Sequence, residues 1–241
     1  NGLEVAGSAG SFESFQGRAS FGKSWRPDAD VLLSGTFFDS RGPRLHFSEY
    51  KDTPTGGSCR NDYETYHQLY SKIKYKDFSL FGLYASRTKG VPTGSYMTIY
   101  NDPKNLTVDS RAYLDLLYEH TFGQEWNFSL RAFYDHYRFD GNYILPPDPA
   151  GGYPDIYKNI DFAQGDWLGF ITQLTKTFFD RHKVVVGGEY RGNLQQKQSN
   201  YNESPYLNIL NVKETSSIYA LFIQDEYTIL PNLSLTAGLR Y

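Results

Sequence analysis

Two carboxylates stand side by side at Asp225 and Glu226, a pairing that acid–base cleavage of a glycosidic bond would call for. They lie in an alternating run, where neighbours project to opposite faces, so the two cannot flank one bond. Glu226 is expected on the polar inner face of a strand and Asp225 near its rim. The histidines, His46, His67, His120, His136 and His182, are scattered without the i, i+2 or i, i+4 spacing that metal ligation favours. Cys59 is the sole cysteine, which excludes an intrachain disulfide framework and a cysteine-based zinc site. Nucleophile-elbow, dinucleotide and P-loop patterns are missing as well. No catalytic residue, metal site or cofactor is assigned.

What remains is recognition chemistry in two segments. The stretch around 88–107 carries Arg87, Lys89, Tyr96 and Tyr100, and the stretch 139–164 carries Phe139, Tyr143, Pro146, Pro147, Pro149, Tyr153, Pro154 and Tyr157. Aromatics mixed with prolines make a stiff, amphipathic surface that recognises a ligand at small ordering cost. Cationic side chains beside tyrosines suit an anionic aromatic ligand through charge and stacking. Arg87, Tyr96, Tyr100, Tyr143, Tyr153 and Tyr157 are therefore the candidate ligand-binding residues, located on loops. The competing role for each tyrosine is to pack loop on loop or to form an aromatic girdle.

The elements that position these residues are strands. The chain has 241 residues, 24 Lys+Arg against 27 Asp+Glu, and a net charge of −3, so a nucleic-acid partner is not expected. No run of 18 apolar residues is present, which excludes a transmembrane helix, and the mean hydropathy is −0.55. Yet 21 Tyr, 17 Phe and 3 Trp sit in this polar chain, as a two-faced β structure would require. Alternation is complete in 232–241, where Leu233, Leu235, Ala237, Leu239 and Tyr241 oppose Asn232, Ser234, Thr236, Gly238 and Arg240. It recurs in 126–134, 111–120 and 183–191, with Arg131, Asp115, Glu119, Lys183 and Glu189 on the face that must be wet and Phe128 and Tyr190 on the apolar one.

Read this way, the chain holds about eleven strands of roughly 8–14 residues, near 3–11, 14–25, 29–39, 64–76, 77–88, 108–121, 124–138, 165–179, 182–194, 214–229 and 231–241. Tight turns at Arg26-Pro27-Asp28, Lys76-Asp77, Phe122-Gly123-Gln124, Asp180-Arg181 and Leu230-Pro231-Asn232 alternate with long segments at 40–63, 88–107, 139–164 and 195–213. Several structureless loops of that length are rare in a compact soluble domain. Long loops on one side and short turns on the other are instead the asymmetry of a transmembrane β-barrel. Trp25, Trp126, Phe122, Phe178 and Phe179 cluster at the short-turn level as an aromatic girdle. The fold class is thus all-β, a transmembrane antiparallel meander barrel. An odd count of eleven and an end inside a strong strand lead us to expect a partial barrel over 1–241, with further strands beyond it.

The hairpin Ile218-Tyr219-Ala220-Leu221-Phe222-Ile223-Gln224-Asp225-Glu226-Tyr227 followed by Leu233-Ser234-Leu235-Thr236-Ala237-Gly238-Leu239-Arg240-Tyr241 closely resembles a mid-barrel hairpin of TonB-dependent outer-membrane receptors. Ala9-Gly10-Ser11-Phe12, Val91-Pro92-Thr93-Gly94-Ser95-Tyr96 with Asn101-Asp102, and Val185-Val186-Gly187-Gly188-Glu189-Tyr190 resemble the same family. The resemblance implies the first half of a 22-stranded barrel in a Gram-negative outer membrane. A plug domain would fill its lumen, and the TonB complex would act through that plug. The implied function is uptake of a ferric siderophore or similar iron complex, or cobalamin, bound by long extracellular loops. Its partners would be the outer-membrane lipid bilayer, the plug, TonB and the chelate. A passive porin-like channel is the alternative, and a soluble carbohydrate-active β protein a third reading. Inward charges such as Arg18, Arg111, Asp115, Arg131, Glu189, Arg191 and Arg240 are expected to pair across strands.

Overall fold

The computed structural model describes every residue except 26, 28 and 124. Arg26, Asp28 and Gln124 of the expected turns therefore lie outside the described residues. The strands are β1 (Gly2–Gly10), β2 (Ser14–Trp25), β3 (Ala29–Ser40), β4 (Leu45–His46), β5 (Ser58–Cys59), β6 (Glu64–Tyr75) and β7 (Phe78–Gly90). They continue as β8 (Leu106–Phe122), β9 (Trp126–Leu145), β10 (Tyr157–Phe178), β11 (His182–Asn202), β12 (Leu207–Leu230) and β13 (Leu233–Arg240). Among the described residues, eleven strands form one antiparallel meander in the order β1-β2-β3-β6-β7-β8-β9-β10-β11-β12-β13, while β4 and β5 pair separately. The all-β meander expected from the alternation is the observed fold.

Register carries the alternation from strand to strand. Ala19 faces Gly35, Gly35 faces Leu69, Leu69 faces Tyr84 and Tyr84 faces Ala112. Ala132 then faces Phe170, which faces Tyr190, which faces Tyr219. These rows define one continuous outer face. It holds Leu33, Leu69, Leu114, Leu130, Phe170, Leu221 and Leu235, each more than a third exposed, a surface that water disfavours and lipid does not. At the short-turn end the outer face carries Trp25, Phe122 and Trp126, with Trp126 edge-on to Phe178 at 6.2 Å. Tyr190 and Tyr219, 5.0 Å apart, stand toward the opposite end. Aromatic rings at both boundaries of an apolar band form the girdles of a membrane barrel.

Strands on the long-loop side run further than expected. The segments 139–164 and 195–213 are mostly β9, β10, β11 and β12, leaving connections only at 146–156 and 203–206. Above the apolar band polar residues enter both faces beside exposed apolar ones such as Ile209 and Val212, so the clean apolar period is lost while the backbone ladder continues. Asn159 and Asn202, for example, are paired in register and bonded side chain to side chain at 2.8 Å. The connections at 11–13 and 203–206 are short although they lie on the long-loop side, so the asymmetry is carried by 41–63, 91–105 and 146–156. Tight three-residue connections at 11–13 and 179–181 hold Phe12-Glu13 and Phe179-Asp180, each residue at positive φ, the conformation that turns two twisted antiparallel strands into each other.

Candidate functional site

The inner face is a ladder of paired charges. Arg18 meets Glu4 at 2.5 Å, Arg111 meets Asp135 at 2.5 Å and Arg240 meets Glu189 at 2.5 Å, while Arg131 reaches Asp115. Each pair joins neighbouring strands except Arg240–Glu189, which crosses β12. Arg191 bonds Asn193 Oδ1 at 3.1 Å and lies over the Trp167 ring. Glu226 has the same parity as these groups. Asp225 points outward and holds His182 at 2.8 Å, so the adjacent carboxylates sit on opposite faces of β12. His120–Asp77 and His136–Asp166 repeat that pairing at 2.8 and 2.7 Å.

At the long-loop end, loops 41–63 and 91–105 are built into each other. β4 pairs with β5, bringing Leu45 opposite Cys59, which is fully buried. Asn61, 2% exposed, donates from Nδ2 to the carbonyls of Val91, Asp102 and Asn105 at 2.9–3.0 Å. Asn105, fully buried, donates to Ile99 O at 2.7 Å and accepts from Ile144 N at 2.6 Å, so it ties the loop to β9. Gly57, at φ +79°, passes so close to Phe47 that an added Cβ would lie 2.4 Å from the Phe47 carbonyl oxygen. Only glycine fits such a crossing. Burial pushes the Cys59 thiol and the Tyr100 hydroxyl above their ordinary pKa values.

The six candidate ligand residues fall into different environments. Arg87 lies on β7 and is locked to Glu64 by two hydrogen bonds of 2.8 and 2.9 Å. Tyr100 stacks on Tyr50 and donates to Gly57 O at 2.6 Å. Tyr143, on β9, is 8% exposed; Tyr153 is 5% exposed, accepts from Asn202 Nδ2 at 2.7 Å, and stacks 4.0 Å from Tyr157 at the start of β10. Tyr96 is 79% exposed beside Met97, at 81%, and touches Tyr143 edge-on at 5.6 Å. Arg87, Tyr143 and Tyr157 are thus strand residues rather than loop residues, because pairing runs on beyond the apolar band. The structure brings Tyr96 to Tyr143 and Tyr153 to Tyr157.

Asn61, Asn105 and Tyr50, which hold the rim together, were not singled out from sequence. Their signal is the density of Asn and Asp at 61–62 and 101–105, residue types that bond loop backbone through their side chains.

A meander with an apolar outer band, aromatic girdles, an inner charge ladder and long loops gathered at one end is the wall of a transmembrane β-barrel of the bacterial outer-membrane class. In sequence, residues 49–241 match the family "TonB dependent receptor-like, beta-barrel". The chain belongs to that family, one of transport receptors residing in the Gram-negative outer membrane. In fold it is similar to the ferric-catecholate import receptor Fiu from Escherichia coli K12, in its closed form, with a TM-score of 0.67, 14% identity and 99% of this chain covering 40% of that one. It is likewise similar to the siderophore receptor PiuA from Acinetobacter baumannii, with a TM-score of 0.64, 11% identity and 99% of this chain covering 42% of that one. The chain therefore spans less than half the length of these receptors. None of the curated proteins matches it in sequence.

Proposed function

We propose that this chain forms part of the wall and extracellular rim of a receptor that takes up a ferric chelate across the outer membrane. A plug domain in the lumen and energy delivered by TonB complete the machinery, as they do in the family the chain belongs to. The observation that carries the reading is the rim. Two long loops are locked at one end of a lipid-facing sheet by buried amides and a tyrosine stack, so a recognition surface is held ready rather than ordered on binding. A passive channel does not need its outer loops cross-braced in this way. The inner ladder of Arg111–Asp135 and Arg131–Asp115 suits a polar plug, since its charges are already neutralised in pairs. Of the six candidate residues, Tyr96 contacts the chelate directly in this reading. Arg87, Tyr100, Tyr143, Tyr153 and Tyr157 shape the surface around it.

The fold similarity to two siderophore receptors supports iron over cobalamin as cargo. The test is growth of a deletion strain under iron limitation on catecholate, carboxylate and hydroxamate iron complexes, with cobalamin dependence scored in parallel. Loss of growth on at least one iron complex, restored by the gene, is the expected result. Undiminished growth on every complex would overturn the reading.

A further inference from the structure

The outer face changes character on β9, β10 and β11 toward the long-loop end. One row of the register there runs Arg138, Gln164 and Lys197, and the row below it runs His136, Asp166 and Gln195. Both rows have the parity of Leu114 and Tyr134, so these side chains stand outside the barrel wall. Trp126, a ring of the short-turn girdle, begins the strand that carries Arg138. Arg138 lies about 40 Å along that strand from the ring, or about 30 Å in height at a tilt of about 40°. The apolar band of such a barrel is about 25 Å tall, which puts Arg138 in the headgroup layer of the extracellular leaflet.

The cations of this patch are held in place. Arg138 donates from Nε and Nη2 to the two oxygens of Asp140 at 2.7 and 2.9 Å, and its guanidinium lies 5.1 Å from the centre of the Phe162 ring. Lys197 Nζ lies 5.2 Å from the centre of the same ring. An aromatic face attracts both and fixes where their long side chains rest. Asp166 accepts from the Tyr134 hydroxyl at 2.7 Å and from Gln164 Nε2 at 2.9 Å, and it bonds His136 Nδ1 at 2.7 Å. Both carboxylates are thus engaged, and among the described residues none lies within ion-pair distance of Lys197.

Tyr134 joins this patch to an apolar groove. Its hydroxyl meets Asp166, while the residue also lines an open groove of about 670 Å³. Gly35, Gly82 and Ala112 make the floor, between the larger Leu33, Leu69 and Leu114. Small residues set among large ones leave a furrow in the lipid-facing wall, with cations at the end where headgroups lie.

We propose that Arg138, Lys197 and Phe162, with the groove that Tyr134 joins to them, form a docking site for the phosphorylated glycolipid of the outer leaflet. Its headgroup phosphate sits on the two cations, as phosphate does on Arg and Lys elsewhere, and one acyl chain fills the groove. The long loops mark this end as extracellular, which selects that leaflet over the periplasmic one. The site lies on the outside of the wall and is independent of the cargo carried within.

The experiment uses the whole receptor, stripped of lipid in detergent and titrated with the bisphosphorylated glycolipid, its dephosphorylated form or phosphatidylglycerol. Bound lipid is counted by native mass spectrometry. The wild type is expected to retain the phosphorylated glycolipid over the other two, and less of it as salt rises. K197Q should weaken retention severalfold, and R138Q/D140N/K197Q on the order of tenfold or more. Asp140 is changed together with Arg138 so that no carboxylate is left alone. Ala112→Phe, which fills the groove floor and alters no charge, should weaken both forms of the glycolipid. K183Q removes a cation from the inner face and should change nothing. K197Q, a single polar replacement above the apolar band, keeps the test decisive if the triple variant does not fold. Wild-type retention by K197Q, or equal weakening by K183Q, would overturn the site. Equal retention of phosphatidylglycerol or of the dephosphorylated form overturns it too, as does undiminished binding by Ala112→Phe.

Discussion

Tyr50 and Tyr100 stack face to face, ring centroids 4.1 Å apart and planes within 10°, although one belongs to loop 41–63 and the other to loop 91–105. Phe47 stands edge-on to both rings, at 6.4 and 6.2 Å. Tyr50 also accepts from Gly94 N through its hydroxyl at 3.2 Å. The two loops thus share one aromatic core outside the membrane and are expected to open together rather than singly.

Tyr100→Phe keeps the stack and removes only the hydrogen bond to Gly57 O, a loss of about 0.5–1.5 kcal/mol. Tyr100→Ala removes the stack too, adding about 0.5–1.5 kcal/mol for the aromatic pair before any packing loss. Limited proteolysis of the folded receptor is expected to cut both loops faster in Tyr100→Ala, with Tyr100→Phe between it and the wild type. Cleavage confined to 91–105 would show that the loops do not move as one body.

Asn105→Ala leaves the buried Ile144 N–H without its partner, while the Ile99 carbonyl keeps only the longer bond from Asp102 N at 3.4 Å. The orphaned N–H costs about 1–3 kcal/mol. Faster hydrogen exchange at the Ile144 amide is the expected signature. Exchange at Leu114, deep in the sheet, should not change.

Cys59 and Tyr100 predict an alkaline weakness in the rim. Both pKa values are raised by burial, so the protonated forms are favoured by folding and their contribution is complete at neutral pH. It is lost as pH rises above the unfolded values, about 8.5 for the thiol and about 10 for the phenol. Proteolysis of loop 41–63 should therefore accelerate between these values and higher pH, and Cys59→Ala should remove the earlier phase. In the folded receptor near neutral pH, Cys59 should resist maleimide and react only after denaturation, because it has no exposed surface.

Leu114 and Leu117 test the two faces of β8. Leu114 is outward and 54% exposed; Leu117 shares the inner parity of Asp115 and stands opposite Arg131. Leu114→Lys places a charge on the lipid face at a cost of about 2–4 kcal/mol near the bilayer midplane. Leu117→Lys meets the polar lumen. Membrane assembly, scored by heat-modifiable migration in gels, should fall for Leu114→Lys far more than for Leu117→Lys. Equal losses would mean that the faces are misassigned.

Much of this was legible in the chain. Period-two apolar residues such as Leu233, Leu235, Ala237 and Leu239 mark a strand with one face in lipid, and the opposed Arg131, Glu189 and Arg240 mark the wet side. Turn residues such as Lys76-Asp77 and Asp180-Arg181 then order the strands as a meander, because two-residue connections permit only antiparallel neighbours. That determined the fold class, the girdle positions of Trp25 and Trp126, and the inner charges that pair across strands. The pattern ends where the membrane ends. Above it both faces are wet, so Asn159, Asn200 and Asn202 remain in the ladder with no apolar period to announce them. The rim depended on tertiary structure alone, since β4 and β5 are two residues each, too short for any periodicity, and they pair across the loop that separates them. Only the meeting of loops distant in sequence buries Cys59, Asn61 and Asn105 and stacks Tyr50 on Tyr100. Local alternation records which solvent each face meets; contacts between separated loops leave no such period.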